Sequence, residues 1–223
     1  FELSARAQDY VERTKQFIQN EIEPIETDFW HEVHELNQGG DWTKWQWPVQ
    51  LETLKAKAKA AGLWNMFLPC PELGQGLSVQ EYAHIAELTG RSLLAPTVFN
   101  CNAPDSGNME VLWRYGSETQ KQEWLTQLLD GKIRSVFCMT EPAVASSDAT
   151  NMQATAVIEG DEIVLNGRKW WSSGLGDPNA KIIIFMAHTP DETKDRHHQH
   201  SMVLVPVETA GVKIERMLPV FGD

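Results

Sequence analysis

A loop of small and hydroxyl-bearing residues is where this sequence most readily accommodates chemistry. Residues 137–148, FCMTEPAVASSD, follow a predicted strand. Small side chains let a ligand approach the backbone, and N–H groups and hydroxyls can donate hydrogen bonds to anionic or carbonyl oxygens. An ordinary loop of Asx and Ser turns has the same composition, and residue chemistry alone favours it. The segment lacks the Gly-rich patterns of phosphate-binding and dinucleotide-binding loops.

Two reactive side chains lie inside this loop. Glu141 could act as a general base, but its position next to Pro142 favours a carboxylate that fixes the loop or is solvated. Cys138 has no neighbour in the sequence that would lower the pKa of its thiol, which favours a small packed residue. The sequence therefore predicts no catalytic role for either side chain.

Three histidines form the other candidate cluster. His197, His198 and His200 could bind a metal, but they lie in a polar run, residues 189–200, between two predicted strands. Such runs are usually solvated loops, and metal ligands normally come from separate elements with further hydrogen bonds that orient them. We therefore predict no metal site.

Helical periodicity dominates residues 1–131, where apolar positions recur at steps of three and four. Helix-boundary signals support four or five helices, whose starts, stops or kinks are marked by Ser4, Pro24, Pro48, Gly62, Ser78 with Glu81, Gly90, Ser117 with Gln120, and Gly131. These residues are predicted to form an N-terminal helical domain that ends at Gly131.

From residue 132 to residue 223 the period changes to two and β-branched residues predominate. Strands are predicted at 155–158, 162–165, 168–173, 182–187, 202–207 and 212–214, with turns at Gly160-Asp161 and Asn166-Gly167. Closely spaced, turn-linked strands are typical of an antiparallel barrel or sandwich. The predicted fold class is α+β, with a helical domain followed by this β domain. Trp170 and Trp171, as consecutive strand residues, should point to opposite faces.

The composition excludes several classes of protein. A chain of 223 residues with 42% hydrophobic and 22% charged residues is an ordinary globular protein, not a disordered, collagen-like or coiled-coil one. The net charge of −12 argues against non-specific nucleic-acid binding. The longest apolar run, 182–187, has the length of a strand rather than of a membrane span, and no signal peptide is visible. Three widely spaced cysteines favour a reducing environment, so we expect a soluble intracellular protein.

The loop at 137–148 and the segment 166–174, NGRKWWSSG, resemble the flavin-binding signature of the acyl-CoA dehydrogenases. Further agreement comes from 71–90 around the Ser78 cap and from 115–121, YGSETQK. The TEPAVASSDAT form of the loop, with CNAPD at 101–105, is most similar to the branch of family members 10 and 11. The motifs follow the family order along nearly all 223 residues.

The resemblance implies an N-terminal helical domain and a middle β domain that cover one face of FAD. The family's C-terminal helical domain is absent from this chain. The positions implied for cofactor binding are Phe137, Cys138, Met139, Thr140, Ser146, Ser147, Trp171, Ser172 and Ser173. Thr140 matches the threonine at the pyrimidine side of the flavin, Trp171 the tryptophan against it, and Ser173 the hydroxyl residue near its reactive nitrogen.

One further position of the resemblance concerns the substrate. Ser147 matches the serine shared between cofactor and acyl-CoA, although the loop is one residue longer than the common family form and Ser146 is the alternative. The resemblance also leads us to expect that the turn beginning at Phe137 and the indole of Trp171 converge to form a wall for a flat, redox-active ring.

The reaction implied is α,β-dehydrogenation of an acyl-CoA thioester, in which a carboxylate removes the α-proton while the β-hydride passes to FAD. In the family the base belongs to the C-terminal helical domain, so no catalytic residue is assigned in this chain. The resemblance also implies a homo-oligomer, dimer or tetramer, and an electron-transferring flavoprotein or similar acceptor.

Two other functions remain open at this point. One is a flavin-dependent monooxygenase or oxidase of the same fold. The other is a non-catalytic flavin-binding relative of the alkylation-response type, which contacts nucleic acid through a basic surface. The net charge of −12 argues against the second alternative.

Overall fold

Residues 2–218 are described by the computed structural model of this protein, and they divide into two units. The first unit ends at Lys132 and the second begins at Ile133, one residue beyond the boundary expected from the sequence. Each unit contains buried apolar clusters of its own. No helix in this part of the chain is both long enough and apolar enough to cross a lipid bilayer.

The first unit is built from helices. They are α1 (Ala5–Phe17), α2 (Glu23–Leu36), α3 (Gln50–Ala60), α4 (Val79–Thr89), α5 (Ala95–Val98), α6 (Asp105–Tyr115), α7 (Glu118–Gln120) and α8 (Thr126–Leu129). A π-helical turn, Ile18–Ile22, joins α1 to α2, and a second, Lys121–Leu125, joins α7 to α8. The core of this unit includes Ile22, Phe29, Leu54, Ile85 and Phe99.

The predicted helix starts at three serines are confirmed. Ser4 caps α1 by accepting a hydrogen bond from the backbone N–H of Ala7. Ser78 with Glu81 and Ser117 with Gln120 form complete capping boxes at α4 and α7. In each box the serine and the third helical residue satisfy one another's backbone N–H groups, which would otherwise lack partners.

Two features of the helical unit differ from a simple reading of the pattern. Pro24 is expected to end or kink the first helix, but it lies in the first turn of α2, where its missing N–H costs no intrahelical bond, and the irregularity falls before it, at the π-helical turn Ile18–Ile22. Helix α6 lies where no helix is predicted. Its first turn contains Ser106, Gly107 and Asn108, which are poor helix formers.

The second unit contains a five-stranded mixed sheet. Its strands are β1 (Arg134–Cys138), β2 (Thr155–Glu159), β3 (Glu162–Asn166), β4 (Ala180–His188) and β5 (His200–Pro206). β4 pairs with β1 in parallel and with β5 antiparallel. β2 pairs antiparallel with β3 and meets β4 only at the pair Thr155 and His188. The predicted antiparallel barrel or sandwich is therefore wrong for the described residues, which form a mixed sheet that does not close.

The parallel pairing has a topological cause. The predicted hairpin with its turn at Gly160-Asp161 is confirmed as β2 and β3, and β4 and β5 lie near their predicted positions. Between β1 and β4 the chain forms the β2–β3 hairpin, which joins the same sheet through the pairing of Thr155 with His188. A connection of this length permits β1 and β4 to pair in parallel, and no local turn signal in the sequence predicts that pairing.

Two predicted strands are absent from the described residues. Residues 168–173 and 212–214 run without strand pairing. In the first of these segments Trp171 has a φ of +52°, a left-handed conformation outside the β region. A strand cannot pass through such a residue, which explains why the β-like composition of this segment misleads.

The end of β3 generates a prediction about stability. A Cβ placed on Gly167 would lie 2.4 Å from the Cβ and 2.9 Å from the Cα of Ala154. We expect Gly167→Ala to lower the free energy of unfolding by about 1–3 kcal/mol, because backbone must shift to relieve the overlap.

Urea denaturation of the native protein and of the Gly167→Ala variant tests this expectation. Gly107→Ala in α6 is the control, since a Cβ there meets nothing within 4 Å and should raise stability by about 0.5–1 kcal/mol. Equal midpoints for Gly167→Ala and the native protein would contradict the packing described.

Candidate functional site

β1 leads directly into the candidate loop. Phe137 and Cys138 are its last residues and lie opposite Ile184 and Phe185 of β4. Cys138 is buried, Phe137 is half-buried, and Met139 packs against a buried apolar cluster. These three side chains belong largely to the protein interior, so that the backbone is what this stretch offers to a ligand.

Two separate segments of the sequence meet at the loop. The backbone N–H of Trp170 donates to the carbonyl oxygen of Thr140 over 3.0 Å. The Lys169 ammonium donates to the carbonyl oxygen of Met139, also over 3.0 Å. The structure therefore places the segment after β3 against the loop after β1, as expected from the sequence.

Glu141 and Lys169 form a buried ion pair at this contact. Nζ of Lys169 lies 2.8 Å from Oε1 of Glu141, and the two side chains are only 5% and 4% exposed. The same carboxylate accepts hydrogen bonds from the backbone N–H groups of Ala154 and Gln153, at 2.9 and 2.8 Å. The ammonium also lies 5.0 Å from the centre of the Phe185 ring. Both charges are thus compensated within the protein.

The environment of Glu141 decides between its two predicted roles. Burial acts to raise the pKa of this carboxyl, but the Lys169 hydrogen bond and the N–H groups of Gln153 and Ala154 outweigh it, and the pKa falls below its ordinary value of 4.5. The group is ionised at neutral pH and its oxygens are occupied. It fixes the loop and is not a solvated carboxylate.

The two adjacent serines have different surroundings. Ser146 is 1% exposed, and its hydroxyl oxygen accepts the backbone N–H of Glu141 over 2.7 Å. Ser147 is exposed, and within residues 2–218 no hydrogen bond engages its hydroxyl. Ser146 therefore holds the loop conformation, whereas the Ser147 hydroxyl is available to a ligand.

Both tryptophans of the segment after β3 are exposed. Trp170 is 40% and Trp171 51% exposed, their ring centres are 5.9 Å apart and their planes are inclined by 51°. The prediction that they point to opposite faces of a strand is wrong, because the segment is not a strand. The left-handed backbone at Trp171, which costs about 1–2 kcal/mol for a non-glycine residue, accompanies this arrangement.

Further hydroxyls lie along the two segments. Those of Thr140 and Ser173 engage in no hydrogen bond within the described part of the chain. The Ser172 hydroxyl contacts the carbonyl oxygen of Trp170 over 3.5 Å and also interacts with the Cys138 thiol. Burial raises the pKa of the nearby Cys138 thiol, which agrees with a packed rather than a reactive cysteine.

The donor set is suited to a flat aromatic cofactor. Free hydroxyls at Thr140, Ser147 and Ser173 accompany the exposed indole surface of Trp171 on adjoining segments. Indole faces stack on planar heterocycles, and hydroxyls can donate to the oxygen and nitrogen acceptors on the edge of such a ring. The residues present therefore fit the isoalloxazine of FAD.

The three histidines of the candidate metal cluster lie in two different elements. His197 and His198 are exposed in a short 3₁₀ turn, and Nδ1 of His198 lies 2.6 Å from the Asp195 carboxylate. His200 begins β5. Among the described residues, no group of three or more His, Cys, Asp or Glu side chains is arranged to hold a metal ion.

Sequence reasoning missed Lys169. Its partner Glu141 is 28 residues earlier, and neither residue carries a local sign that it is buried. The available signal was a lysine directly before two tryptophans in a segment matched to the loop by family resemblance. A lysine next to aromatic residues indicates a nearby carboxylate only once the two segments are known to meet.

Comparison with known sequences identifies the family. The family model described as "Acyl-CoA dehydrogenase, N-terminal domain" matches residues 4–132, and the model described as "Acyl-CoA dehydrogenase, middle domain" matches residues 136–223. The chain belongs to the acyl-CoA dehydrogenase family. The two matches fall on the helical unit and on the sheet-containing unit in turn.

Individual relatives agree with this membership. Acyl-CoA dehydrogenase family member 11 of Mus musculus is 51% identical over 224 residues, covering 100% of this chain and 28% of the relative. The expected similarity to that branch is confirmed.

Solved structures show the same fold. A Mycobacterium abscessus protein assigned to the acyl-CoA dehydrogenases has a TM-score of 0.93 and 60% identity, covering 100% of this chain and 55% of that one. A glutaryl-CoA dehydrogenase of Mycobacterium smegmatis, in complex with FADH2, shares the fold with a TM-score of 0.68 and 23% identity, covering 94% and 47%. The chain thus spans about half the length of these structures or less.

The ion pair yields a prediction about coupling. Glu141→Gln or Lys169→Met alone should lower the free energy of unfolding by about 3–5 kcal/mol, because each leaves a buried charge without its partner. The double variant should lose much less than the sum. A double-mutant cycle from urea unfolding measures this coupling, and strict additivity would contradict the pair.

The pair also predicts a dependence on pH. Because folding lowers the pKa of Glu141, its stabilising contribution is complete above about pH 4.5 and is lost as the pH falls through the lower folded value. Between about pH 5 and pH 3 the native protein should therefore lose more stability than E141Q/K169M. Parallel losses of melting temperature in the two proteins would contradict this assignment.

Proposed function

We propose that this chain forms the N-terminal and middle portions of an FAD-dependent acyl-CoA dehydrogenase, which introduces a double bond between Cα and Cβ of an acyl-CoA thioester. The observation that carries the proposal is the 3.0 Å hydrogen bond from the Trp170 N–H to the Thr140 carbonyl oxygen, in a chain of this family. That bond joins the segment with the exposed indoles to the loop with the free hydroxyls.

Each side chain has a proposed part in holding the cofactor. FAD, when bound, supplies the acceptor for the substrate hydride. As the family resemblance implies, Thr140 would donate at the pyrimidine side of the flavin, Trp171 would lie against it, and Ser173 would lie near its reactive nitrogen. Donors fixed at the pyrimidine edge stabilise the negative charge that the ring gains. The glutaryl-CoA dehydrogenase of shared fold, described in complex with FADH2, supports this choice of cofactor.

The remaining matched residues act mainly through the backbone or by support. Phe137, Cys138 and Met139 have side chains buried or half-buried in the protein, and Ser146 is occupied by Glu141. Of the two candidate serines, we assign Ser147 to the position shared by cofactor and acyl-CoA, because its hydroxyl is exposed and unengaged within the described residues.

The catalytic base is proposed to lie outside residues 1–223, on the C-terminal helical domain of the family. Glu141 is the carboxylate inside the loop, but its oxygens already accept bonds from Lys169 and two backbone N–H groups. We further propose a homo-oligomeric enzyme that passes electrons to an electron-transferring flavoprotein or a similar acceptor.

Anaerobic titration of the full-length protein tests the reaction. FAD should co-purify in stoichiometric amount, and acyl-CoA should bleach its absorbance while NADH should not. Bleaching by NADH would instead indicate a monooxygenase of the same fold. A full-length protein that binds no flavin would overturn the proposal.

Thr140→Val tests the contribution of the loop. The variant removes one donor hydroxyl at nearly constant volume, so we expect about a tenfold weaker affinity for FAD, equivalent to one lost hydrogen bond. Thr209→Val, at an exposed position after β5, is the matched control and should leave the affinity unchanged. Isothermal titration of the apo-protein gives both values. Equal affinities would exclude the Thr140 hydroxyl as a flavin donor.

A further inference from the structure

The buried ion pair touches the peptide group that the proposed cofactor would face. Lys169 Nζ is bonded both to the Glu141 carboxylate, at 2.8 Å, and to the carbonyl oxygen of Met139, at 3.0 Å. That carbonyl belongs to the peptide group whose N–H is carried by Thr140. No hydrogen bond to this N–H is found within residues 2–218.

An ammonium group bonded to a carbonyl oxygen changes the opposite end of the same peptide. Electron density is drawn toward the oxygen, so that the N–H becomes a stronger donor, as in other hydrogen-bonded chains. The effect is large where water is excluded, and Lys169 and Glu141 are each at least nine-tenths buried. The Lys169 ammonium, which is held in place by Glu141, therefore polarises the Met139–Thr140 peptide group of the loop.

We propose that Lys169 is a positioning residue which, through the Met139–Thr140 peptide, makes the site bind reduced FAD more tightly than it otherwise would. The inference rests on the proposed function, since it assumes that FAD lies against Thr140. Hydride transfer adds one hydrogen nucleus and two electrons to the ring, so reduced FAD carries one more negative charge than oxidised FAD. A stronger donor at Thr140 favours the more negative form.

The sign of the effect separates this proposal from simple structural support. Removing Lys169 removes the polarising cation, whereas removing the charge of Glu141 leaves that cation uncompensated. The two substitutions should therefore change the relative affinity for reduced FAD in opposite directions. A purely structural pair would lower the affinities for both forms together in either variant, because both substitutions break the same buried contact.

The experiment compares four variants of the full-length protein at pH 7: K169M, E141Q, K169M/E141Q and K194M. The last is the control, because Lys194 forms a solvent-exposed pair with Asp191 in the loop between β4 and β5. Dissociation constants are measured for oxidised FAD and, anaerobically, for dithionite-reduced FAD. The quantity of interest is their ratio, and urea midpoints report stability separately.

We expect K169M to reduce the preference for reduced FAD about tenfold, which corresponds to about 30 mV in a two-electron potential. E141Q should increase that preference, the double variant should fall below E141Q, and K194M should match the native protein. If K169M does not fold, E141Q and the double variant decide the sign.

Shifts of the ratio in the same direction, or an unchanged ratio in E141Q, would overturn the role of Lys169 while leaving flavin binding intact. Failure of the native full-length protein to bind FAD would instead overturn the proposed function. The two failures are therefore distinguishable.

Discussion

The contact between the loop after β1 and the segment after β3 is built around a buried ion pair. Removing a carboxylate and an ammonium from water costs several kcal/mol per ion, and only close geometry with additional hydrogen bonds offsets that cost. Glu141 and Lys169 have both, because two backbone N–H groups and one carbonyl oxygen complete their coordination. The bonds join the loop after β1, the entry to β2 and the segment after β3. The hydrogen bond from the Trp170 N–H to the Thr140 carbonyl oxygen lies at this junction and brings the neighbouring Trp171 close to the loop.

Local signals allowed much of the architecture to be predicted. The capping boxes at Ser78 and Ser117 and the hairpin turn at Gly160 depend on neighbouring residues, and the structure contains all three. The parallel pairing of β1 with β4 depends on residues far apart in sequence, and no turn chemistry announces it. The same limit applies to the ion pair, since burial of a lysine is a property of the folded environment.

At the candidate site, the resemblance supplied the segments but not the individual roles. Sequence could not separate Ser146 from Ser147, because two adjacent serines differ only in what surrounds them. Trp171 was assigned to a strand on composition, yet its backbone is left-handed and its indole exposed. Local preference and observed conformation conflict at this residue, which lies in the segment matched to the flavin. Such conflicts concentrate where function rather than stability has selected the conformation.

The β2–β3 hairpin lies within the connection between the parallel strands β1 and β4, and this position affects where the domain can tolerate insertions. The loop after β1 and the segment after β3 both lie at the base of the β2–β3 hairpin, whereas Gly160 and Asp161 form its far tip. The connection that contains the hairpin begins at β1 and ends at β4, which are neighbouring strands of the sheet. Residues added at the tip would extend the hairpin outward without displacing either end of this connection. Insertions at this tip would therefore add surface without moving the two segments that carry the candidate site.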